Sequence, residues 1–102
     1  MIYMAETNLK DAVLIDRTDI AAILFPEDDV LDDIDQIKDR SRKIHRATSL
    51  GNLEHRKVHI VFRDIESLKR VHTTIWVQLG EKIILKERIM LPVNRIVDIV
   101  FD

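Results

Sequence analysis

Six side chains on two predicted strands have the chemistry that binding of single-stranded nucleic acid requires. They are Lys57, His59, Arg63, Arg70, His72 and Trp76. Lysine and arginine pair with phosphates and an indole ring stacks on a base, so cations around Trp76 are typical of a surface that binds single-stranded RNA. Val61 and Thr74 lie on the same predicted face. In the competing interpretation, Trp76 and Val61 form the seat on which a helix packs.

The histidines are the first residues to consider for a metal site. The chain contains His45, His55, His59 and His72. His55 and His59 are four positions apart, which on a strand separates them by about 13 Å. His59 lies opposite His72 in the predicted hairpin, where Cβ atoms approach to about 5 Å. A third ligand is still needed, and that face offers mainly cations, so we expect a solvated polar pair, no metal and no other cofactor.

The residue types on which most active sites depend are missing or isolated. A phosphate-binding loop needs several glycines, and this chain has only Gly51 and Gly80. There is no cysteine nucleophile, and the serines lack a nucleophile-elbow context. The acidic run at positions 27–35 has neither the central glycine nor the closing glutamate of a calcium-binding loop. We therefore expect no catalytic residue and a protein that is not an enzyme.

Composition indicates one folded domain in the cytoplasm. The 102 residues are 46% hydrophobic and 33% charged, which is ordinary for a packed protein. The absence of cysteine fits a reducing compartment, and no apolar run approaches the roughly 18 residues of a membrane span. The net charge of -2 hides a gradient, because residues 1–37 carry ten acidic and two basic side chains whereas residues 38–72 carry four and ten.

The N-terminal part of the chain is predicted to be mainly helical. Positions 12–15 are compatible with a short strand, but we favour a short helix at 20–24, capped by Thr18. A long helix follows from position 27 to about 47, with Gly51 and Asn52 after it as terminators. Its predicted buried stripe consists of Val30, Ile34, Ile37, Ser41 and Ile44. Acidic residues at its start and basic residues at its end suit the helix dipole, which offers a structural reason for the charge gradient.

The rest of the chain alternates with the period of β-strands. Five strands are predicted, at 57–63, 71–79, 83–85, 89–91 and 96–101. The inward face of the first strand consists of Val58, Ile60 and Phe62, and that of the second consists of Val71, Thr73, Ile75, Val77 and Leu79. A hairpin loop at 64–67 would place His59 opposite His72 and Ile60 opposite Val71, so that both apolar faces coincide. Closing the strands into a barrel would remove their edges, and the long helix would dock on that barrel. The predicted fold is α+β in a single domain, with a helical segment at 1–52 and a β-barrel at 53–102.

The order of a helix and then five strands resembles that of Sm-like and SH3-like small barrels. The chain lacks the glycine, acidic and asparagine positions with which Sm proteins bind RNA, so no site residue carries over. Positions 47–97 are similar to an uncharacterised family of short bacterial proteins. The likeness rests on the segments ATSLGN at 47–52, KVHIVF at 57–62, TTIW at 73–76, ILK at 84–86, and Pro92 with Arg95 and Ile96. Members of that family carry glycine where Glu87 and Arg88 stand here. The resemblance implies a fold but no activity.

Two classes of function remain for this chain. The first is a non-catalytic protein-interaction or scaffold module with a protein partner or a second copy of itself. The alternative is single-stranded RNA binding through the basic, aromatic face. Exposure of Trp76 beside Arg63 and Arg70 would favour RNA, whereas burial of Trp76 would favour the interaction module.

Overall fold

The computed structural model describes residues 9–102, which form one long helix, short 3₁₀ helices and seven short strands in two sheets. The long helix is α1 (Ile34–Glu54), and the strands are β1 (Val13–Leu14), β2 (Val58–Arg63), β3 (Leu68–Thr73), β4 (Ile75–Leu79), β5 (Lys82–Leu85), β6 (Met90–Pro92) and β7 (Ile96–Phe101). The first sheet has the order β1-β3-β2-β7 and the second has the order β4-β5-β6. The predicted α+β class is confirmed. Among these residues, no helix is both long and apolar enough to pass through a membrane.

The short helix predicted at 20–24 lies instead at Arg17–Ala22, is a 3₁₀ helix and is capped by Asp16, not by Thr18. The first eight residues of the helical segment predicted at 1–52 lie outside the described residues.

The predictions of five strands and of a closed barrel are wrong, because the structure has seven strands in two separate sheets. β1 has only two residues, too few to show a period, and it pairs in parallel with β3. The predicted strand 71–79 is divided at Thr74, so that its two halves belong to different sheets. Within residues 9–102 the strand pairings stay inside each sheet and do not close a barrel.

The β2–β3 hairpin has the predicted register. His59 lies opposite His72 and Ile60 opposite Val71. The carboxylate of Asp64 organises the loop, because it accepts hydrogen bonds from the backbone N–H groups of Glu66 (2.7 Å) and Ser67 (2.8 Å). The alternation of apolar side chains and the tight turn in the loop specify the same register. Together they determine how β2 pairs with β3.

The long helix is shifted toward the C-terminus relative to its prediction. Asp33 is its N-cap, with its side chain accepting from the N–H of Asp35 at 2.8 Å. The acidic residues at 27–32 therefore precede the helix instead of forming its first turns. At the other end, His55 in the left-handed conformation (φ 55°) is the C-cap. The preceding Gly51 and Asn52 are inside the helix and do not end it.

The buried stripe of α1 also differs from the predicted one. Its buried residues are Arg40, Ile44, Ala47 and Gly51, whereas Ile34 is 61% exposed. Gly51 is required by close packing, because a Cβ atom there would lie 2.5 Å from the backbone oxygen of Ile75 and 2.8 Å from Cγ2 of Thr74. Only a residue without a side chain allows α1 to approach β4 this closely.

A row of three cations, spaced three residues apart on α1, fastens the helix to β7. The Arg40 guanidinium donates to the backbone oxygen of Ile96 at 3.0 Å. Lys43 forms an ion pair of 2.8 Å with the buried Asp98, and the Arg46 guanidinium lies 4.3 Å above the centre of the Phe101 ring. These basic residues thus have structural partners along one strand, in addition to any effect of the helix dipole.

The acidic segment before α1 pairs with two buried arginines. Asp29 accepts two hydrogen bonds from Arg40, at 2.8 and 2.7 Å. Arg95, which is also buried, donates to the backbone oxygen of Asp28 at 2.8 Å and to the backbone oxygen of Arg63 at 3.0 Å. These hydrogen bonds hold the segment against the helix and the end of β2.

The core lies between the two sheets and α1. It is built from buried apolar side chains of both sheets, of α1 and of the 3₁₀ helix Arg17–Ala22, which contributes Ile20. The members are Ile20, Ile44, Ala47, Val58, Ile60, Phe62, Val71, Ile75, Ile83, Leu85, Leu91, Ile96 and Ile99. The predicted inward residues of β2 are confirmed by Val58, Ile60 and Phe62. Because α1 contributes Ile44 and Ala47, the helix is part of the core and not an appendage.

Replacing Gly51 by alanine is expected to lower the free energy of unfolding by about 1–3 kcal/mol, because the added methyl group overlaps the backbone of β4. In an unconstrained helix the same change would increase stability by about 1 kcal/mol, so the sign of the effect tests the close packing. Urea unfolding measures it. Asn52→Ala, at the next and exposed position of the helix, is the matched control and should change stability by less than about 0.5 kcal/mol.

Asn in place of Asp29 is expected to reduce the loss of stability in acid. Burial acts to raise the pKa of Asp29, but hydrogen bonds from Arg40 and from the N–H of Leu31 outweigh it, so this pKa lies below its ordinary value of 3.8. The folded state therefore binds fewer protons than the unfolded state, and this contribution is present above pH 3.8 and lost as the pH falls through the folded-state pKa. Urea unfolding between pH 5 and 2 measures how steeply the free energy of unfolding falls with pH in the wild type, in Asp29→Asn and in the control Asp32→Asn. If Asp29→Asn loses stability as steeply as the wild type and the control, the role given to Asp29 is contradicted.

Candidate functional site

The predicted basic face is divided in the structure. His59, Arg70 and His72 lie together on the first sheet, whereas Trp76 lies on the second sheet. Arg63 is at the far end of β2 from His59. Two residues predicted on the same outward face, Val61 and Thr74, are buried instead. The six residues therefore belong to separate surfaces.

The first group, which we call the histidine cluster, comprises His59, Arg70, His72 and Asp102. The β2–β3 register brings the two imidazole rings into a parallel stack, with centroids 4.1 Å apart and an interplanar angle of 6°. Asp102 follows β7 and reaches both rings, with Oδ1 3.1 Å from Nε2 of His59 and Oδ2 2.9 Å from Nε2 of His72. One carboxylate thus bridges the two histidines.

Hydrogen bonding fixes the protonation pattern of His59. Nη1 of Arg70 lies 3.2 Å from Nδ1 of His59. A guanidinium has only donors, so Nδ1 accepts and Nε2 carries the proton that is donated to Asp102. Burial, reinforced by the nearby His72 and Arg70, lowers the pKa of His59 although Asp102 opposes the shift. The hydrogen bond from His72 lowers the pKa of Asp102.

Sequence reasoning found the histidine pair but missed Asp102. The strand at 96–101 was predicted correctly, but alternation of side chains does not specify that it pairs with β2. That pairing places Val100 opposite His59, so Asp102, two residues further along and on the same side of the sheet, reaches the imidazole. With it, three groups of the type that bind metals have ligand atoms within 4.8 Å of one another. The third ligand that the sequence analysis did not find is therefore present, and the reason given there for expecting no metal no longer holds.

The second group surrounds a groove at the C-terminal end of α1. The groove has a volume of about 510 Å³ and is lined by Gly51, Asn52, His55, Lys57, Thr74, Trp76 and Lys86. The indole of Trp76 is 40% exposed there, so Trp76 is not buried as the seat of the helix. Its cationic neighbours are Lys57 and Lys86, not the predicted Arg63 and Arg70. Lys86 was missed because it comes from the turn between β5 and β6.

A third feature, absent from the predictions, is an apolar face on the outside of the second sheet. Val77 lies opposite Ile84, and Ile84 lies opposite Met90, so three apolar side chains form a row across the sheet. Val77, Met90 and Leu79 are 39%, 55% and 62% exposed. We call Val77, Leu79, Ile84 and Met90 the outer apolar face.

A bulge explains why two of these residues were assigned to the core. The register between β4 and β5 shifts between Ile75 and Val77. Ile75 is therefore fully buried whereas Val77 and Leu79, which follow at the same spacing of two, point outward. Alternation alone predicted all three on the inner face.

Comparison of the chain with protein-family models, with curated proteins and with solved structures found no match. The function is therefore inferred from these three surfaces.

Proposed function

We propose that the protein is a non-catalytic interaction module and that it forms a homodimer through the outer apolar face. The row of Val77, Ile84 and Met90 carries this proposal. Scattered exposed apolar residues are common on soluble proteins, but a contiguous row on the flat side of a sheet is typical of an interface. Association would remove these side chains from water.

The distribution of charge around the outer apolar face supports a second copy as the partner. Glu81 and Lys82 lie at one end of β5, and Lys86 and Arg88 at the other. A two-fold axis that crosses β5 near Ile84 at a right angle would bring Glu81 and Lys82 of each copy toward Lys86, Glu87 and Arg88 of the other, so that both signs of charge meet at each end. Such a surface is self-complementary, as a two-fold symmetric interface requires.

Met90→Glu is expected to convert a concentration-dependent dimer into a monomer, because it places two like charges in the apolar centre of the interface. Sedimentation velocity across roughly 5–500 μM would show at least a tenfold weaker association than in the wild type, or none. Ile65→Glu is the matched control, because Ile65 is 66% exposed but lies in the β2–β3 loop. It should leave the dimer intact. A wild-type protein that is monomeric throughout this range would contradict the homodimer.

A second candidate function is binding of single-stranded RNA in the groove at the end of α1. The exposed indole of Trp76 supports it, because Lys57 and Lys86 line the same groove and can pair with phosphates while a base stacks on the ring. The histidine cluster supports it less, since Asp102 occupies its two imidazoles. The proposed RNA site is therefore smaller than, and displaced from, the predicted face.

For this groove, the affinity for a short mixed-sequence RNA should fall with salt at a slope of about -1.4 in log affinity, since each of two phosphate contacts contributes about -0.7. Lys86→Ala should halve the slope. Trp76→Ala should weaken binding by about 1–3 kcal/mol and leave the slope unchanged. Arg70→Ala, on the predicted face but outside the groove, is the control and should bind as the wild type does.

Fluorescence anisotropy measures RNA binding, and thermal unfolding of each variant verifies that it folds. If the wild type does not bind RNA at about 50 mM salt, this function is excluded.

We further propose that the chain is related to Sm-like and SH3-like proteins through the order of its elements, although its two sheets do not close a barrel. Counting β3 and β4 as one strand bent at Thr74, and leaving out β1, gives five strands after a helix, in the predicted order. The turn at 86–88 supports kinship with the short bacterial proteins that positions 47–97 resemble, because Glu87 (φ 64°) and Arg88 (φ 63°) have the backbone conformation that glycine favours. Their glycines would fit these positions. The cytoplasm is the proposed location, on the ground that the chain has no cysteine.

A further inference from the structure

We propose that His59, His72 and Asp102 bind a divalent first-row transition metal such as Zn²⁺, and that Arg70 keeps this site weak and exchangeable. Two imidazoles and one carboxylate are ligands that Zn²⁺ uses in proteins, and three protein ligands leave a coordination position for water or a further group. This inference is independent of the proposed dimer and of the groove beside Trp76.

The distances among the ligand atoms are close to those that a metal requires. Ligands at about 2.0–2.2 Å in a tetrahedral site are separated from each other by about 3.3 Å. Nε2 of His59 and Nε2 of His72 already lie 3.1 and 2.9 Å from the two oxygens of Asp102. All three ligand atoms fall within 4.8 Å of one another.

The parallel stack of the two rings requires one movement before a metal can bind. Parallel imidazoles have parallel lone pairs, which do not meet at one point, so one ring must tilt. The side chains of His72 and Asp102 are 36% and 51% exposed, whereas that of His59 is 19% exposed. We therefore assign the tilt to His72 and the accompanying shift to Asp102, with His59 as the fixed ligand.

Arg70 opposes the metal through its hydrogen bond to His59. To coordinate through Nε2, His59 must transfer its proton to Nδ1, and this N–H would then face the donor Nη1 of Arg70 at 3.2 Å. The Nδ1–H of His59 and the Nη1–H of Arg70 would then repel each other, since neither can accept a hydrogen bond. The positive guanidinium would also lie near the bound cation. Strong metal sites instead supply an acceptor to the outer nitrogen of the ligating histidine. Glutamine at position 70 would supply one.

A bound metal would join three parts of the first sheet. His59 lies on β2, His72 on β3, and Asp102 directly after β7. Because the ligands come from three strands, binding to the folded state alone would stabilise it, and the melting temperature would rise with metal concentration.

The experiment is titration of untagged, chelator-treated protein with Zn²⁺ alone, followed by calorimetry and by thermal unfolding. We expect one weak site in the wild type, at least tenfold tighter binding in Arg70→Gln, and at least tenfold weaker binding in His72→Ala and in Asp102→Asn. His45→Ala is the control, because His45 is exposed on α1, and it should bind as the wild type does. Circular dichroism of each variant without metal verifies that it folds.

Each alternative outcome would overturn part of the proposal. No binding to the wild type or to Arg70→Gln at 1 mM Zn²⁺ would eliminate the site. Unchanged binding in a folded His72→Ala variant would show that the ion binds elsewhere. If His72→Ala abolishes binding but Arg70→Gln does not tighten it, the role given to Arg70 is wrong.

Discussion

The burial of the Arg40 guanidinium is the constraint on which the arrangement of helix and sheets depends. A charge removed from water must be paired, since an isolated buried ion costs several kcal/mol. Arg40 is 4% exposed, and it meets this requirement with Asp29 on one side and the backbone of β7 on the other. The pairing holds the segment before α1 against the helix, and α1 begins only after that segment, at Ile34. It also sets the face of α1 that turns toward the sheets.

Local patterns were sufficient for part of the fold. Alternation and loop length predicted the pairing of His59 with His72, and the last strand was predicted with its observed bounds of 96 and 101. The start of α1 was wrong because Asp28 and Asp29 were interpreted through the helix dipole, whereas their partners are arginines distant in sequence. Buried Arg40 and Gly51 were left out of the apolar stripe for a related reason. Their burial depends on tertiary contacts that no periodicity reveals.

The candidate sites were less predictable than the fold. Five of the six predicted residues retain a place on one of two surfaces, but the break at Thr74 and the adjoining bulge moved Trp76 away from Arg70. Asp102 and Lys86 reach their clusters through strand pairing and a turn, so their chemistry could not be read from neighbours in the sequence. A one-residue bulge also turned Val77 and Leu79 from predicted core residues into a surface. The break at Thr74 and the bulge after Ile75 thus determined which side chains lie on the surface of each sheet.

The docking of α1 on β7 has a consequence for synthesis on the ribosome. Arg40 and its acceptor on Ile96 are separated by 56 positions along the chain. At translation rates of about 5–20 residues per second, the helix would emerge roughly 3–11 s before the strand that completes its binding site. During that interval Ile44, Ala47 and the paired arginine would lack their final neighbours. Until the last strand arrives, the nascent helix therefore leaves exposed the apolar side chains that the folded chain buries.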